Sequence, residues 1–190
     1  MPPSTPGRVV VISGPSGAGK TTLMKELFRR SERPLVASVS ATTRPPRPTE
    51  VNGIDYHFLS HDDFAARRRA GDFLECFEVF GRGHWYGTLW GEVAPSLAAG
   101  KWVVLEIDVQ GTRSVLVRYP DALTIFVGTE SLEELERRLR GRGTESEDSI
   151  HRRLEVARRE LAASDFYLHH VVNDTLDRAV QELLEILKRG

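Results

Sequence analysis

Residues 14–21 have the residue types and spacing of a phosphate-binding loop. They read GPSGAGKT and match the pattern G-x-x-x-x-G-K-[ST] in full. The glycines let the backbone N–H groups turn towards phosphate, the lysine can reach the β- and γ-phosphate oxygens, and the threonine hydroxyl can bind Mg²⁺. A glycine-rich turn with a chance lysine is the alternative, but a strand-like and a helix-like segment flank the motif. The sequence therefore predicts nucleotide binding by Gly14, Pro15, Ser16, Gly17, Ala18, Gly19, Lys20 and Thr21.

A second set of acidic groups could complete a metal site. In VVLEIDVQG, Glu106 and Asp108 are alternate residues and project to the same side of a strand. Asp108 falls at the carboxyl end, where ligand sites of α/β sheets gather. Its carboxylate can hold Mg²⁺ through water or accept a hydrogen bond from a substrate. A solvated acid at the end of a strand is the alternative.

A proline-stiffened loop, SATTRPPRPTEVNGIDY, offers groups that suit a phosphate monoester. Arg44 and Arg47 are planar donors able to clamp such a phosphate bidentately, and Tyr56 can add a hydroxyl. Ser40 and Glu50 belong to the same loop. The alternative, a basic surface loop, is equally compatible with this stretch alone.

Apolar strand-like segments alternate with helix-like segments over most of the chain, beginning with RVVVIS and GKTTLMKELFRR. Continuous apolar strands of this kind are typical of a parallel sheet covered by helices on both faces. An intervening stretch has short aromatic segments such as FLECFEVF and HWYGTLW, with brief helical pieces. The sequence therefore predicts an α/β fold with a β-rich insert. The predicted divisions are a flexible tail at 1–7, a core made of 8–38, 101–135 and 156–190, and the insert at 39–100.

The composition excludes several classes of partner. The 190 residues include 26 Lys and Arg against 27 Asp and Glu, so there is no basic excess to favour nucleic acid. No apolar run approaches the roughly 20 residues of a membrane span. A single cysteine, Cys76, permits no intramolecular disulfide and suits a reducing compartment. The N-terminal MPPSTPG lacks a basic region and an apolar core, so we do not expect it to act as a signal peptide. We expect a soluble cytoplasmic protein, and a zinc site built from Cys76, His169 and His170 fails on spacing.

Several blocks of sequence together resemble the guanylate kinase family. They are VSATTRPPRPTEVNGIDYHF, FLE, YGT, LEIDVQG, RLRGRGTESEDSIHRRL and VVND, and the resemblance runs from Val9 to the C-terminal helix. It implies a P-loop NTPase-type core, a GMP-binding insert and a helical lid at 136–155. It also implies Mg²⁺-dependent, in-line phosphoryl transfer from ATP to GMP, extending to dGMP, in purine nucleotide metabolism and GMP recycling. ATP and GMP are then the partners, and a monomer is favoured.

The resemblance also assigns roles in the acceptor site. Arg44, Arg47, Tyr56 and Tyr86 match the ligands of the GMP phosphate, with Glu50 in the same site. Ser40, Glu75 and Thr88 match residues that read the guanine base, with Asp108 nearby. Guanine presents N1–H and an exocyclic amine, which a carboxylate at Glu75 can accept together, whereas adenine presents an acceptor at N1. Without the resemblance, an outward-facing strand acid is the preferred interpretation of Glu75.

In ERRLRGRGTESEDSIHRRL, arginines on two predicted helices bracket a glycine-containing polar stretch. This is the composition of a mobile flap. By the resemblance, Arg138, Arg142 and Arg153 approach the phosphates during transfer and join Lys20 and Arg44 as catalytic residues. Salt-bridged solvent helices are the alternative, because acidic residues are interleaved with the arginines. In VVND, Asn173 matches an adenine contact, and Asp174 could equally cap the final helix.

The chain departs from the family in the segment FGRGHWYGT, which is longer than the usual turn GNYYG and leaves the placement of Tyr86 and Thr88 open. Glu106 stands where many relatives have aspartate. A scaffold domain of the same fold that binds phosphopeptides is one alternative function. The intact loop and lid arginines, which such domains lose, favour the enzyme. A P-loop kinase acting on another small acceptor is the remaining alternative.

Overall fold

The computed structural model describes residues 7–78, 83–141 and 146–190, within which seven helices and nine strands are defined. In chain order the elements are β1 (Val9–Ser13), α1 (Lys20–Arg30), β2 (Leu35–Ala37), β3 (Ala41–Thr42), β4 (His57–Phe58), α2 (His61–Ala70), β5 (Phe73–Glu78), β6 (Trp85–Leu89), α3 (Trp90–Ala98), β7 (Trp102–Glu106), α4 (Val109–Arg118), β8 (Leu123–Gly128), α5 (Leu132–Gly141), α6 (Glu147–Ala162), β9 (His169–Val172) and α7 (Leu176–Arg189).

The chain divides into two compact units. The first takes in the described residues up to Val9 together with Leu35–Leu105 and Gln110–Ala122. The second takes in Val10–Pro34, Glu106–Val109 and Leu123–Gly190.

Parallel strands form the centre of the second unit. Strand β8 pairs in parallel with β1 on one side, where Val10 lies opposite Leu123, and with β9 on the other, where Ile125 lies opposite His169. Every residue of β1 and β8 is buried. Strands covered on both faces need no polar alternation, which explains the continuous apolar runs in the sequence. The predicted parallel α/β core is confirmed.

The helices of the second unit carry apolar stripes with helical spacing. In α7 the buried residues Ala179, Val180, Leu183, Ile186 and Leu187 recur every three to four positions along one face. Helices α5 and α6 pack together through a cluster of Leu135, Leu139, Ile150, Leu154 and Ala157. The two arginine-rich helices predicted from the sequence therefore share an apolar interface of their own.

The first unit contains a four-stranded sheet of order β4-β3-β6-β5. Strand β3 runs parallel to β4 and antiparallel to β6, and β5 and β6 form an antiparallel pair. Ala41, Phe64, Phe73 and Leu89 form the core beneath the sheet, with the Phe64 and Phe73 rings stacked at 4.4 Å. In the same unit, β2 and β7 pair in parallel.

Helix α3 was not predicted, since the sequence suggested β-rich structure around Trp90. Local helix signals are weak there, because Leu89 at the N-cap makes no side-chain capping bond and Pro95 lies inside the helix. Burial of Val93 and a hydrogen bond from the Trp90 N–H to the Asp72 carbonyl oxygen (2.9 Å) fix the element instead. Across the described residues, no helix combines the length and apolarity needed to cross a membrane.

Candidate active site

The phosphate-binding loop connects β1 to α1 in the second unit. Gly14 has φ 138° and a Cβ there would lie 2.0 Å from the Val127 carbonyl oxygen, so only glycine fits. Gly19 has φ 85° and is the N-cap of α1, with no side-chain capping bond. The first N–H groups of α1 therefore have no capping side chain in front of them, and a helix N-terminus in that condition suits an anion.

Lys20 folds back over the loop. Its ammonium group donates to the carbonyl oxygens of Gly14 (2.7 Å) and Pro15 (3.2 Å) and lies 3.8 Å from a Glu106 carboxylate oxygen. The side chain is 13% exposed, so the charge is held largely out of water. A phosphate entering the loop would give this ammonium a stronger, charged partner than two carbonyls.

Acidic side chains gather near Lys20. Glu106 ends β7 and Asp108 follows it. Burial raises the pKa of Glu160 on α6 to about 7, Lys20 opposes that rise, and Asp108 adds to it. Glu160 was not singled out from the sequence, because an acid in a charged helix looks like a solvated residue.

The donor set suits Mg²⁺. Magnesium in nucleotide enzymes takes one or two protein oxygen ligands together with substrate phosphates and water. Thr21, in the first turn of α1, supplies an exposed hydroxyl, and Asp108 supplies a carboxylate oxygen in the same unit. Within the described ranges, no group of three or more His, Cys, Asp and Glu side chains could hold a metal ion by itself.

Two of the predicted lid arginines bond to the loop or to Asn173 beside it. Arg138 donates through Nε to Glu134 (2.7 Å) and through Nη2 to the carbonyl oxygen of Asn173 (2.8 Å). Arg153 donates to the hydroxyl of Ser16. Arg142 lies outside the described residues.

Glu134 makes one set of bonds through its backbone and another through its carboxylate. Its N–H donates to the Ser131 hydroxyl oxygen (3.2 Å), which is one half of a capping box. Its carboxylate, however, bonds to Arg137 and Arg138, and these bonds lower its pKa to about 2. Glu134 therefore stays ionised and holds Arg138.

Asn173 is buried at the end of β9, with 7% of its surface exposed. Its N–H donates to the Gly128 carbonyl oxygen (2.9 Å), and its side-chain amide donates to the Ala18 carbonyl oxygen (2.7 Å). The predicted adenine contact of Asn173 stays a prediction, while its contact with the loop was not foreseen.

The predicted phosphate clamp lies in the first unit. Arg44 donates to Glu50 (2.8 Å), and its guanidinium carbon lies 5.5 Å from the centre of the Tyr56 ring. Bonds to Glu50 and then to Tyr86 raise the pKa of Arg44 above its ordinary value, so it is charged at any physiological pH. The Tyr56 and Tyr86 rings meet edge to face at 6.0 Å. Four of the predicted residues thus form one cluster, namely Arg44, Glu50, Tyr56 and Tyr86.

Glu50 orders the two arginines. One carboxylate oxygen accepts from Arg44, and the other accepts from the Arg47 N–H (2.7 Å), while the Arg47 side chain remains exposed. The bond with Arg44 lowers the pKa of Glu50, which therefore keeps its negative charge. A carboxylate placed this way suits holding the clamp better than contacting a phosphate, which it would repel.

The predicted base-reading residues meet on the paired strands β5 and β6. Glu75 lies opposite Thr88, and the Thr88 hydroxyl donates to the Glu75 carboxylate at 2.6 Å. Both side chains are buried, Glu75 being 8% and Thr88 0% exposed, so an outward-facing acid is the wrong interpretation of Glu75. Ser40 is half-buried just before β3, and its carbonyl oxygen accepts from the His57 N–H (2.9 Å).

Gly87, between Tyr86 and Thr88, allows the two strands to approach. A Cβ at this position would lie 2.7 Å from both the Cys76 Cβ and the Glu75 carbonyl oxygen, and 2.8 Å from the Phe73 ring. Register also shifts between Phe73 and Glu75, which marks a bulge. Tyr86 pairs with Phe77 and Thr88 pairs with Glu75. This pairing gives the positions of the two residues that the longer turn left open in the sequence.

Comparison with known proteins gives consistent results. The family model described as guanylate kinase matches residues 6–190. A guanylate kinase from Rhodopirellula baltica is 56% identical over 183 residues, which span 96% of this chain and 88% of that relative. One from Rubrobacter xylanophilus is 51% identical over 183 residues, spanning 96% and 94% of the two chains. The crystal structure of guanylate kinase from Anaplasma phagocytophilum superposes with a TM-score of 0.80 at 27% identity, covering 97% of this chain and 86% of that one.

Proposed function

Because the chain belongs to the guanylate kinase family, we propose that it transfers the γ-phosphoryl group of ATP to GMP, and also to dGMP, forming ADP and the diphosphate. This activity serves purine nucleotide metabolism and GMP recycling. The observation that carries the proposal is the buried pair of Glu75 and Thr88, because its chemistry selects guanine.

Glu75 provides the selection. A buried carboxylate can accept both the N1–H and the exocyclic amine of guanine, and each bond to a charged acceptor is strong in a site that excludes water. Adenine would place its N1 acceptor against the same carboxylate and leave a buried acceptor unpaired. Thr88 holds one carboxylate oxygen, which fixes the orientation of the group before the base arrives. Ser40 and Asp108 are the remaining proposed contacts of the base.

The phosphate of GMP binds to the clamp of Arg44, Arg47, Tyr56 and Tyr86. Support for this comes from the shared cluster of Arg44 and the two tyrosines, in which the two rings meet edge to face and the Tyr56 ring lies beside the Arg44 guanidinium. Glu50 remains on the protein side of the clamp as the group that keeps both arginines in place.

ATP binds through residues 14–21, with Lys20 moving from its carbonyl partners to the β- and γ-phosphate oxygens. Asn173 belongs to this ATP-binding set. Thr21, and Asp108 through water, would hold Mg²⁺, which neutralises charge on the phosphates when bound.

Transfer needs positioning and positive charge more than covalent chemistry. In-line attack by the GMP phosphate passes through a loose transition state with charge on the equatorial oxygens. Lys20, Arg44, Arg138, Arg142 and Arg153 would supply the stabilising donors. No phosphoenzyme is required, because both nucleotides are bound at once.

The proposed organisation has the core at 8–38, 101–135 and 156–190, the GMP-binding insert at 39–100 and the lid at 136–155. Closure of the insert and lid would exclude water from the reaction. We place the reaction in the cytoplasm, where ATP and GMP are available, and favour a monomer.

The test is ADP release from MgATP with GMP, dGMP, AMP, UMP, CMP and dTMP supplied separately. Turnover with the guanine nucleotides alone supports the proposal. Turnover with another acceptor would overturn the assignment of Glu75 and Thr88 while retaining the ATP site. No turnover with any acceptor, together with phosphopeptide binding, would favour the scaffold function.

A further inference from the structure

Asn173 touches two different parts of the proposed donor site, and this inference rests on the ATP-binding part of the proposed function. Its side-chain amide bonds to the Ala18 carbonyl oxygen of the phosphate loop at 2.7 Å. Its own carbonyl oxygen accepts from Arg138 at 2.8 Å. The backbone N–H is fixed on Gly128 at 2.9 Å, so the residue is anchored to β8 while it makes both contacts.

The bond to Ala18 determines which way one peptide group of the loop faces. In a trans peptide, the C=O of one residue and the N–H of the next point in opposite directions. Holding the Ala18 carbonyl on Asn173 therefore turns the Gly19 N–H away from Asn173. This N–H lies at the N-cap of α1, immediately before Lys20, where a phosphate would bind.

Gly19 leaves the room that the amide occupies. A Cβ on Gly19 would lie 2.5 Å from the Asn173 side-chain nitrogen, which is closer than any real contact. Glycine is thus required at position 19 for two reasons: its φ of 85° disfavours other residues, and a side chain would collide with the Asn173 amide. Loop and amide fit each other at this point.

Arg138 is held by the same residue. Its guanidinium donates to the Asn173 carbonyl oxygen and to Glu134, whose pKa of about 2 keeps it ionised. Asn173 therefore stands between the loop that would bind the donor phosphates and an arginine of the lid.

We propose that Asn173 is a positioning residue, which orients the Ala18–Gly19 peptide for the triphosphate and fixes the resting place of Arg138. Its contribution to ATP binding then acts through the phosphates. A contact with the adenine base would act on ATP alone, and this difference provides the test.

The experiment measures binding of MgATP and of magnesium tripolyphosphate, which has no base, by calorimetric titration without any acceptor. Asn173→Asp keeps the shape of the side chain but sets an acceptor against the Ala18 carbonyl. We expect both dissociation constants to rise by the same factor, about 10- to 100-fold. Should this variant fail to fold, Asn173→Ala makes the same comparison with an expected rise of about 2- to 10-fold for both ligands.

Asp174→Asn is the matched control. Asp174 contacts the Thr175 N–H and Arg178, not the loop, so both dissociation constants should stay at their original values. Weaker binding of ATP with unchanged tripolyphosphate binding in the Asn173 variants would overturn the proposal in favour of a base contact. Unchanged binding of both ligands would overturn it outright. Since no acceptor is present, these outcomes are independent of whether GMP is the substrate.

Discussion

Replacing Glu75 by glutamine tests the guanine assignment most directly. The carboxylate is buried and accepts from Thr88 at 2.6 Å. Glutamine has nearly the same shape but turns one acceptor oxygen into a donor. If its remaining oxygen keeps the Thr88 hydroxyl, its NH₂ group faces the N1–H and exocyclic amine of guanine, donor against donor.

The size of the effect follows from the bonds that are lost. Hydrogen bonds to a charged group contribute about 1.5–3 kcal/mol each, so losing two costs about 3–6 kcal/mol. At about 1.4 kcal/mol for each tenfold change, kcat/KM for GMP should fall by about 10²- to 10⁴-fold. Folding should suffer far less, by about 1 kcal/mol or 2–4 °C in Tm, because the amide can still pair with Thr88.

The assay is coupled ADP release over a range of GMP concentrations, with thermal unfolding of the same preparations. Glu78→Gln is the control, because Glu78 lies on the same strand and its side chain is exposed. Its carboxylate accepts a hydrogen bond from the Gly83 N–H (2.8 Å). Its kcat/KM should change by less than about twofold. An unchanged kcat/KM in Glu75→Gln, or a loss matched by a large fall in Tm, would refute the reasoning.

Three further outcomes are expected. Lys20→Ala should abolish nearly all turnover and leave GMP binding, measured calorimetrically, unchanged; retained turnover would contradict its role. Arg153→Ala should lower kcat by about 10-fold or more with little change in KM for GMP, whereas a change in KM alone would argue against a role in transfer. Glu160 has a pKa raised from 4.5 to about 7, so between these values the folded state binds more protons than the unfolded state, and rising pH lowers stability. In urea unfolding, Glu160→Gln should therefore gain stability over the original chain, from near zero at pH 4 to at most about 3 kcal/mol at pH 8; a gain independent of pH would exclude this cause.

The features that were predictable from the sequence are those set by local chemistry. Residues 14–21 combine glycine, lysine and threonine in an order that few other structures require, and the loop forms between β1 and α1 as expected. The family resemblance grouped Glu75 with Thr88, although it left the placement of Thr88 open and strand alternation alone left the direction of Glu75 open. Pairing of β5 with β6 decides both, because it sets Glu75 opposite Thr88.

The features that were missed depend on tertiary contacts. Helix α3 forms despite an internal proline, because packing of Val93 outweighs weak local propensity. Glu134 lies three residues after Ser131, the spacing of a capping box, yet Arg137 and Arg138 on the same helix bind its carboxylate. The contact between Asn173 and Ala18 joins residues far apart in the chain and leaves no periodic signal.

Residues 86, 87 and 88 differ in how readily they can be substituted, because Gly87 is packed against the neighbouring strand. Tyr86 and Thr88, the two residues proposed to contact the acceptor, are alternate residues of β6 and share one face of the strand, so substitutions there would change which nucleotide is accepted while the strands stay paired. Any side chain at Gly87 would instead push against Cys76, Phe73 and the Glu75 backbone and open the pairing itself. Laboratory selection for a new acceptor should therefore accumulate changes at the two flanking positions and none between them. A library designed to change the acceptor should therefore vary residues 86 and 88 and keep glycine at 87, because variants with any other residue there would lose the strand pairing.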